Sequence, residues 1–215
     1  MAATQLTPDE TRGMLLHVCH GMQAGKDMLS EADRAIGDGD HGVGMARGFE
    51  AVQRKLEAMS SAAAIDELFR TVGTALLTSV GGAAGAVFGT LFRGGSQNLS
   101  SCSAFDSAAL ARFLADGLAA VKARGQAQPG DKTMVDALEP AARRAQEVSS
   151  ASLAEALTEV AEAARQGMEK TRDMVATVGK AKTLGERSLG HPDPGAISTY
   201  LILKYMAEYA SRDLS

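Results

Sequence analysis

Asp33-Arg34-Ala35-Ile36-Gly37-Asp38-Gly39-Asp40-His41-Gly42 sets three carboxylates within eight residues and strips the side chain from positions 37, 39 and 42. Its reading decides the fold. As a dinucleotide fingerprint it would open an α/β sheet, because Gly37-Asp38-Gly39-Asp40-His41-Gly42 satisfies G-x-G-x-x-G. The preceding Leu29-Ser30-Glu31-Ala32-Asp33-Arg34-Ala35 is no buried strand, however, and unneutralised aspartates repel a pyrophosphate. As a calcium-binding helix-loop-helix counted from Asp38, it carries Val43 where Gly is required and Phe49 where Glu is required. Two readings remain, a surface turn rich in Asp and Gly or a cation site. If Asp33, Asp38 and Asp40 converge, each like-charged pair at about 4 Å costs roughly 1 kcal/mol in water and several times more in a cleft, and a cation removes that cost. Hard oxygen donors without a cysteine cluster favour Mg²⁺ over Zn²⁺, and Mg²⁺ held by carboxylates usually shares its coordination with phosphate.

Working outward, both flanks read as helices. Thr7-Pro8-Asp9-Glu10 combines an N-cap Thr, a first-position Pro and a Glu three residues after the cap, which predicts a helix running to about Ser30. His17 and His20 on it read as partly buried packing residues. Met45, Phe49, Val52 and Leu56 repeat at helical spacing and predict a helix over 43–59. Ile65 to Val80 and Ala83 to Phe92 form two more, separated by Gly81-Gly82, and 108–124 makes another. The loop 125–133 imitates a P-loop, but Asp131 intrudes before Lys132-Thr133 and a helix precedes it in place of a strand. Lys132 there is read either as reaching a phosphate or as pairing with Asp131 or Asp136. Met134 to Val148 reads as a helix kinked near Pro140. Leu153, Val160, Gly167 and Met174, with Leu157, Ala164, Thr171 and Val178, form one stripe over 153–178. After a glycine-rich break, Asp193 and Pro194 start a last helix to Ala210.

The expectation is therefore all-α: eight helices in an antiparallel up-and-down barrel or bundle, a single domain over residues 1–215. Even numbers of helices separate the loops near 37, 81, 130 and 190, so all four fall at one end. With 22 basic against 26 acidic residues the net charge is −4 and no basic block is present, which argues against a nucleic-acid partner. Aromatics are only 4% of the chain, so Ala, Leu, Val and Met are expected to build the core. Cys19 and Cys102 have no metal-type spacing, and a reducing, cytoplasmic setting is the simplest account. Met1 to Glu10 lacks the basic start and apolar run of a secretory signal. Thr71 to Phe92 carries no charge, but its five glycines read as buried core, not as a membrane span.

Four glycine-rich loops at one end offer carboxylates for Mg²⁺, bare backbone N–H groups, Lys132 or Lys180, and a helix start near Gly195, which suits a nucleotide phosphate. Ile36 to Gly42, Ser79-Val80-Gly81-Gly82-Ala83, Pro129-Gly130-Asp131-Lys132-Thr133-Met134 and Leu184 to Ala196 resemble, in order and spacing, the signature segments of the nucleotide-binding L subunit of dihydroxyacetone kinase. That resemblance implies an eight-helix barrel binding ADP or ATP with two Mg²⁺ ions. It assigns Asp33, Asp38 and Asp40 to the metal. His41, Gly42, Ala83, Ala84, Gly125, Met134, Lys180, Asp193, Pro194 and Gly195 would line the nucleotide. Gly44, Ala84 and Gly179-Lys180-Ala181-Lys182 depart from the Asn, Ser and Gly-Arg-Ala-Ser common in the family. The resemblance further implies a separate K-type subunit that holds the ketose, dihydroxyacetone or a tetrulose such as erythrulose. The phosphoryl donor would be ATP itself or a phosphohistidine carrier protein of the sugar phosphotransferase system that recharges a retained ADP. A regulatory module that senses nucleotide and docks on a transcriptional partner is the alternative.

Overall fold

The computed structural model describes residues 3–60 and 63–212; the outermost residues of the expected 1–215 domain, with Met1 and Ala2 of the amino-terminal stretch, lie outside them. Within these bounds the α-helices are α1 (Pro8–Ala24), α2 (Lys26–Ile36), α3 (His41–Glu57), α4 (Ile65–Ser79), α5 (Gly82–Gly95), α6 (Ser107–Gly125), α7 (Met134–Glu147), α8 (Leu153–Lys170) and α9 (Pro194–Ala210). Thr171–Asp173 and Lys180–Ser188 are 3-10 helices. The one pairing of strands among the described residues joins β1 (Gln5–Leu6) to β2 (Phe105–Asp106), antiparallel.

The all-α expectation holds, with one helix more than the eight expected. Gly25 divides the first: its N–H bonds back to Gly21 O at 3.0 Å, and the chain restarts at Lys26. Without a side chain to continue either apolar face, Gly25 lets α2 leave the direction of α1. The remaining eight helices close a ring in which α1 packs on α3, each of α3 to α9 on the next, and α9 back on α1. Partners across the seams run in opposite directions. Gly13 faces Tyr209, Gly21 faces Tyr205 and Gly25 faces Leu201 on the α1–α9 seam, while Gly44 meets Val80 and Gly48 meets Leu76 between α3 and α4. The ninth helix, α2, lies on α3 and α9.

Local chemistry fixes most of the helix starts. Thr7 and Glu10 form a reciprocal capping box, as do Thr133 with Asp136 and Ser152 with Glu155, and Asp193 caps α9 ahead of Pro194. The stripe predicted through Val178 stops early, at Lys170. There Thr171 donates its hydroxyl to Met168 O at 2.6 Å and accepts the Asp193 N–H at 2.9 Å, so Met174 falls on extended backbone. The core is built mainly of Ala, Leu, Val and Met, as expected, and all six phenylalanines are buried in it as well. Four of the six phenylalanines, Phe69, Phe92, Phe105 and Phe113, pack together, with Phe69 4.6 Å from Phe113 and 5.0 Å from Phe105 between ring centroids. Phe105 arrives from β2, which explains why so short a pairing is retained. His17 is half-buried between Tyr205 and Tyr209, as expected, whereas His20 is exposed. Cys19 and Cys102 are free thiols, and no described helix is long and apolar enough to cross a membrane.

Candidate nucleotide and metal site

The four loops do meet. A cavity of about 750 Å³ opens at their end of the barrel, within the size range of small-molecule sites. One side of it is acidic. Asp33 projects from the last turn of α2, and Asp38 and Asp40 come from the loop to α3; each offers an oxygen within 4.8 Å of the others'. Asp33 is nearly buried and accepts the His41 N–H at 3.1 Å, which ties the start of α3 to the end of α2. Asp38 and Asp40 stay exposed. The Lys180 ammonium is ion-paired to Asp38 and lies 3.6 Å from Asp40. Its hydrogen bond holds the Asp38 carboxyl below the usual carboxylate range and raises the lysine in turn. Lys180 is thus placed among the carboxylates at the edge of the cavity.

Opposite the aspartates lies the start of α5. Gly81 holds φ +84°, a left-handed conformation open to glycine, and no side chain caps the helix behind it. Its first turn, Gly82, Ala83 and Ala84, lines the cavity, so N–H groups without intrahelical partners border the space. Arg47 of α3 braces this turn by donating to Ser79 O at 2.7 Å and Val80 O at 2.6 Å, the carbonyl end of α4. Val87, Phe88, Val121, Ala127, Met134 and Val178 give the cavity an apolar lining as well. Acidic, bare N–H and apolar groups therefore line one cleft.

Of the residues singled out from sequence, Asp33, Asp38, Asp40, His41, Ala83, Ala84, Gly125, Met134, Lys180, Asp193, Pro194 and Gly195 all line this cavity. Gly42 does not. A Cβ there would lie 2.1 Å from Lys26 O and 2.4 Å from Ser30 Oγ, so its bareness serves the contact of α3 with α2. Lys132 also lines the cavity but pairs with neither Asp131 nor Asp136. It sits at φ +61° with its side chain buried, and its ammonium donates to the carbonyls of Thr171 and His191, the latter at 2.7 Å. Asp136 instead accepts the N–H groups of Gly130 and Thr133, at 2.6 and 2.7 Å. Sequence reasoning missed Arg47 and, apart from Met134, the apolar wall. Arg47 lies three residues beyond Gly44 and four beyond Val43, on one face of α3, and that spacing was the available signal.

His41 shares a 2.8 Å hydrogen bond between Nε2 and Ser198 Oγ on α9, and burial lowers its pKa. Asp193 is the other perturbed group. Burial pushes its carboxyl up to about 7; the hydrogen bond from the Ala196 N–H opposes the rise and the nearby Asp136 adds to it. Between the ordinary 3.8 and about 7 the folded chain holds a proton that the unfolded chain has lost. This group's contribution to stability is therefore complete on the acid side and is lost as pH rises through that window. Asp193→Asn keeps a good N-cap acceptor and cannot titrate. Thermal melts between about pH 4 and pH 7 are expected to show a more favourable trend with rising pH in the variant than in the parent. Parallel pH profiles would contradict the assignment.

Residues 35–208 match the DAK2 domain. The chain is 40% identical over 188 residues to "PEP-dependent dihydroxyacetone kinase 1, ADP-binding subunit DhaL" of Listeria innocua, covering 87% of this chain and 89% of that one. It is 39% identical over 186 residues to "PEP-dependent dihydroxyacetone kinase, ADP-binding subunit DhaL" of Escherichia coli, covering 84% and 87%. The crystal structure of the dihydroxyacetone kinase from C. freundii in complex with AMP-PNP and Mg²⁺ superposes with a TM-score of 0.72 at 27% identity. That match takes in 92% of this chain, which spans only 33% of that kinase.

Proposed function

Because this chain belongs to the DAK2 domain family, we propose that it is the nucleotide-binding subunit of a dihydroxyacetone-type kinase, which presents a phosphoryl group to a short-chain ketose held by a separate K-type subunit. The observation that carries this reading is the convergence of Asp33, Asp38 and Asp40 on the rim of a cavity that also receives the uncapped start of α5. Their oxygens suit Mg²⁺, two ions in the fullest form of the proposal, and bound Mg²⁺ supplies positive charge that offsets the phosphates. The first-turn N–H groups of α5 hold phosphate oxygens, with Lys180 as a mobile point charge beside them. Val87, Phe88, Val121, Met134 and Val178 receive the base.

The lining also explains why a partner is needed. Transfer requires an acceptor hydroxyl held in line with the phosphate and a group to take its proton. Asp33, Asp38 and Asp40 are assigned to the metal, and Asp193 is occupied as the cap of α9. His41 is engaged with Ser198. The acceptor and its base therefore belong to the K-type subunit, docked over the loop end. The relatives are named as PEP-dependent and ADP-binding, which supports the form in which ADP stays bound and a phosphohistidine carrier protein of the sugar phosphotransferase system restores its terminal phosphate. A sensing module without catalysis would not need so dense an acidic site.

Calorimetry tests the reading. Mg-ADP is expected to bind saturably with an affinity in the micromolar range or tighter, and binding should vanish when EDTA removes the metal. ADP affinity unchanged by EDTA would separate the aspartates from the nucleotide and overturn the proposed site.

A further inference from the structure

A second concavity, of about 340 Å³, lies on the outer side of α4, α5 and α6 and shares no lining residue with the nucleotide cavity. Each of the three helices sends one arginine into it: Arg70 from α4, Arg93 from α5 and Arg124 from α6. Asp66 is the one acidic residue in its lining, and it is already paired with Arg70 at 3.0 Å. Among the described residues neither Arg93 nor Arg124 has an acidic partner or a hydrogen bond from its guanidinium. Three positive charges against one negative leave an excess of two on this groove, in a chain whose net charge is −4.

The packing beneath keeps the groove open. Gly94 lies against Ala120, where an added Cβ would come within 2.4 Å of the alanine methyl, so α5 and α6 approach closely and no side chain fills the space above them. Thr90 and Gln97 add neutral hydrogen-bonding groups to the wall. Arg93 and Arg124, both exposed and without acidic partners, repel each other across the groove, and an anion reverses the sign of that interaction. Guanidinium forks match tetrahedral phosphate oxygens with paired hydrogen bonds, whereas a flat protein surface has no need of a recess of this size. We infer that this groove is a second anion site that takes a small phosphate-bearing molecule, separate from the nucleotide.

The site is independent of the kinase reading, and the experiment keeps the two apart. Backbone amide NMR shifts of Thr90, Gln97 and Ala120 report on the groove alone, and titrations run in EDTA exclude metal-dependent binding at the loop end. Inorganic phosphate and glycerol 3-phosphate are the probes. Saturable shifts at these amides in the millimolar range or below are expected, weakened by about tenfold or more in the Arg93→Gln, Arg124→Gln double variant. Tighter binding of the ester identifies a phosphate monoester as ligand, and equal binding identifies free phosphate. Should the double variant fold poorly, Arg93→Lys with Arg124→Lys keeps the charge and removes the forks, and a severalfold loss is expected. Absence of saturable shifts with either probe, or shifts unchanged in the variants, would overturn the inference whatever the loop end does with Mg-ADP.

Discussion

Asp38→Asn is expected to weaken Mg-ADP binding by about a hundredfold, at the upper limit of what loss of a supporting group around a metal costs, because this change removes a ligand itself. Asn preserves the shape of the loop and one oxygen but loses the charge that holds Mg²⁺. Asp38 is exposed and caps no helix, so the fold has little stake in it: its one strong contact is the surface pair with Lys180, of a kind that contributes little to stability. Circular dichroism should therefore be unchanged while calorimetry shows the loss. Asp33→Asn is a less clean probe, since Asp33 also accepts the His41 N–H. Mg-ADP affinity within a fewfold of the parent in Asp38→Asn would remove the metal assignment.

The second large effect concerns turnover. The chain mixed with Mg-ATP and dihydroxyacetone or erythrulose is expected to form no sugar phosphate, and addition of a K-type subunit should raise the rate by about a thousandfold or more, as orientation of two reactants allows. A phosphohistidine carrier with ADP-loaded chain should replace ATP in the same assay. Salt should slow the coupled reaction, because exposed charges ring the loop end. Robust turnover by this chain alone would place the acceptor site within its own residues.

The parts of this fold that were legible in the sequence are those written in local chemistry. Thr7 with Glu10, Asp193 with Pro194 and the Gly81-Gly82 turn each declare a helix boundary within four residues. Counting helices between loops then brought the acidic loop, the start of α5 and the Asp193 turn together without any knowledge of side-chain geometry. What escaped depended on distant partners. The apolar repeat alone carried the helix past Lys170, because nothing near Thr171 announces that Asp193 will use its hydroxyl. Lys132 was open to a phosphate or to Asp131 or Asp136, and only the folded chain supplies the two carbonyls that take its ammonium. Gly42 belonged to a motif by spacing and to a helix contact by geometry.

The Lys132 contact has a dynamic consequence. Thr171 and His191, whose carbonyls share that one ammonium, are the two ends of the segment that supplies Val178 and Lys180 to the cavity. Between 174 and 190 only Ala176 and Ser188 are buried, and they hold each other through the Ala176 N–H and Ser188 Oγ at 3.0 Å. The segment is thus a loop drawn shut at its neck by that cation and by the Gly190 N–H bonded to Arg172 O at 2.8 Å, with almost no core of its own. Such a unit is expected to open at a lower free energy than the barrel, with its amides exchanging before those of α1 or α8 in a hydrogen-exchange experiment. Under the proposed function Val178 and Lys180 of this loop border the nucleotide, and release of ADP is expected to track opening of the neck.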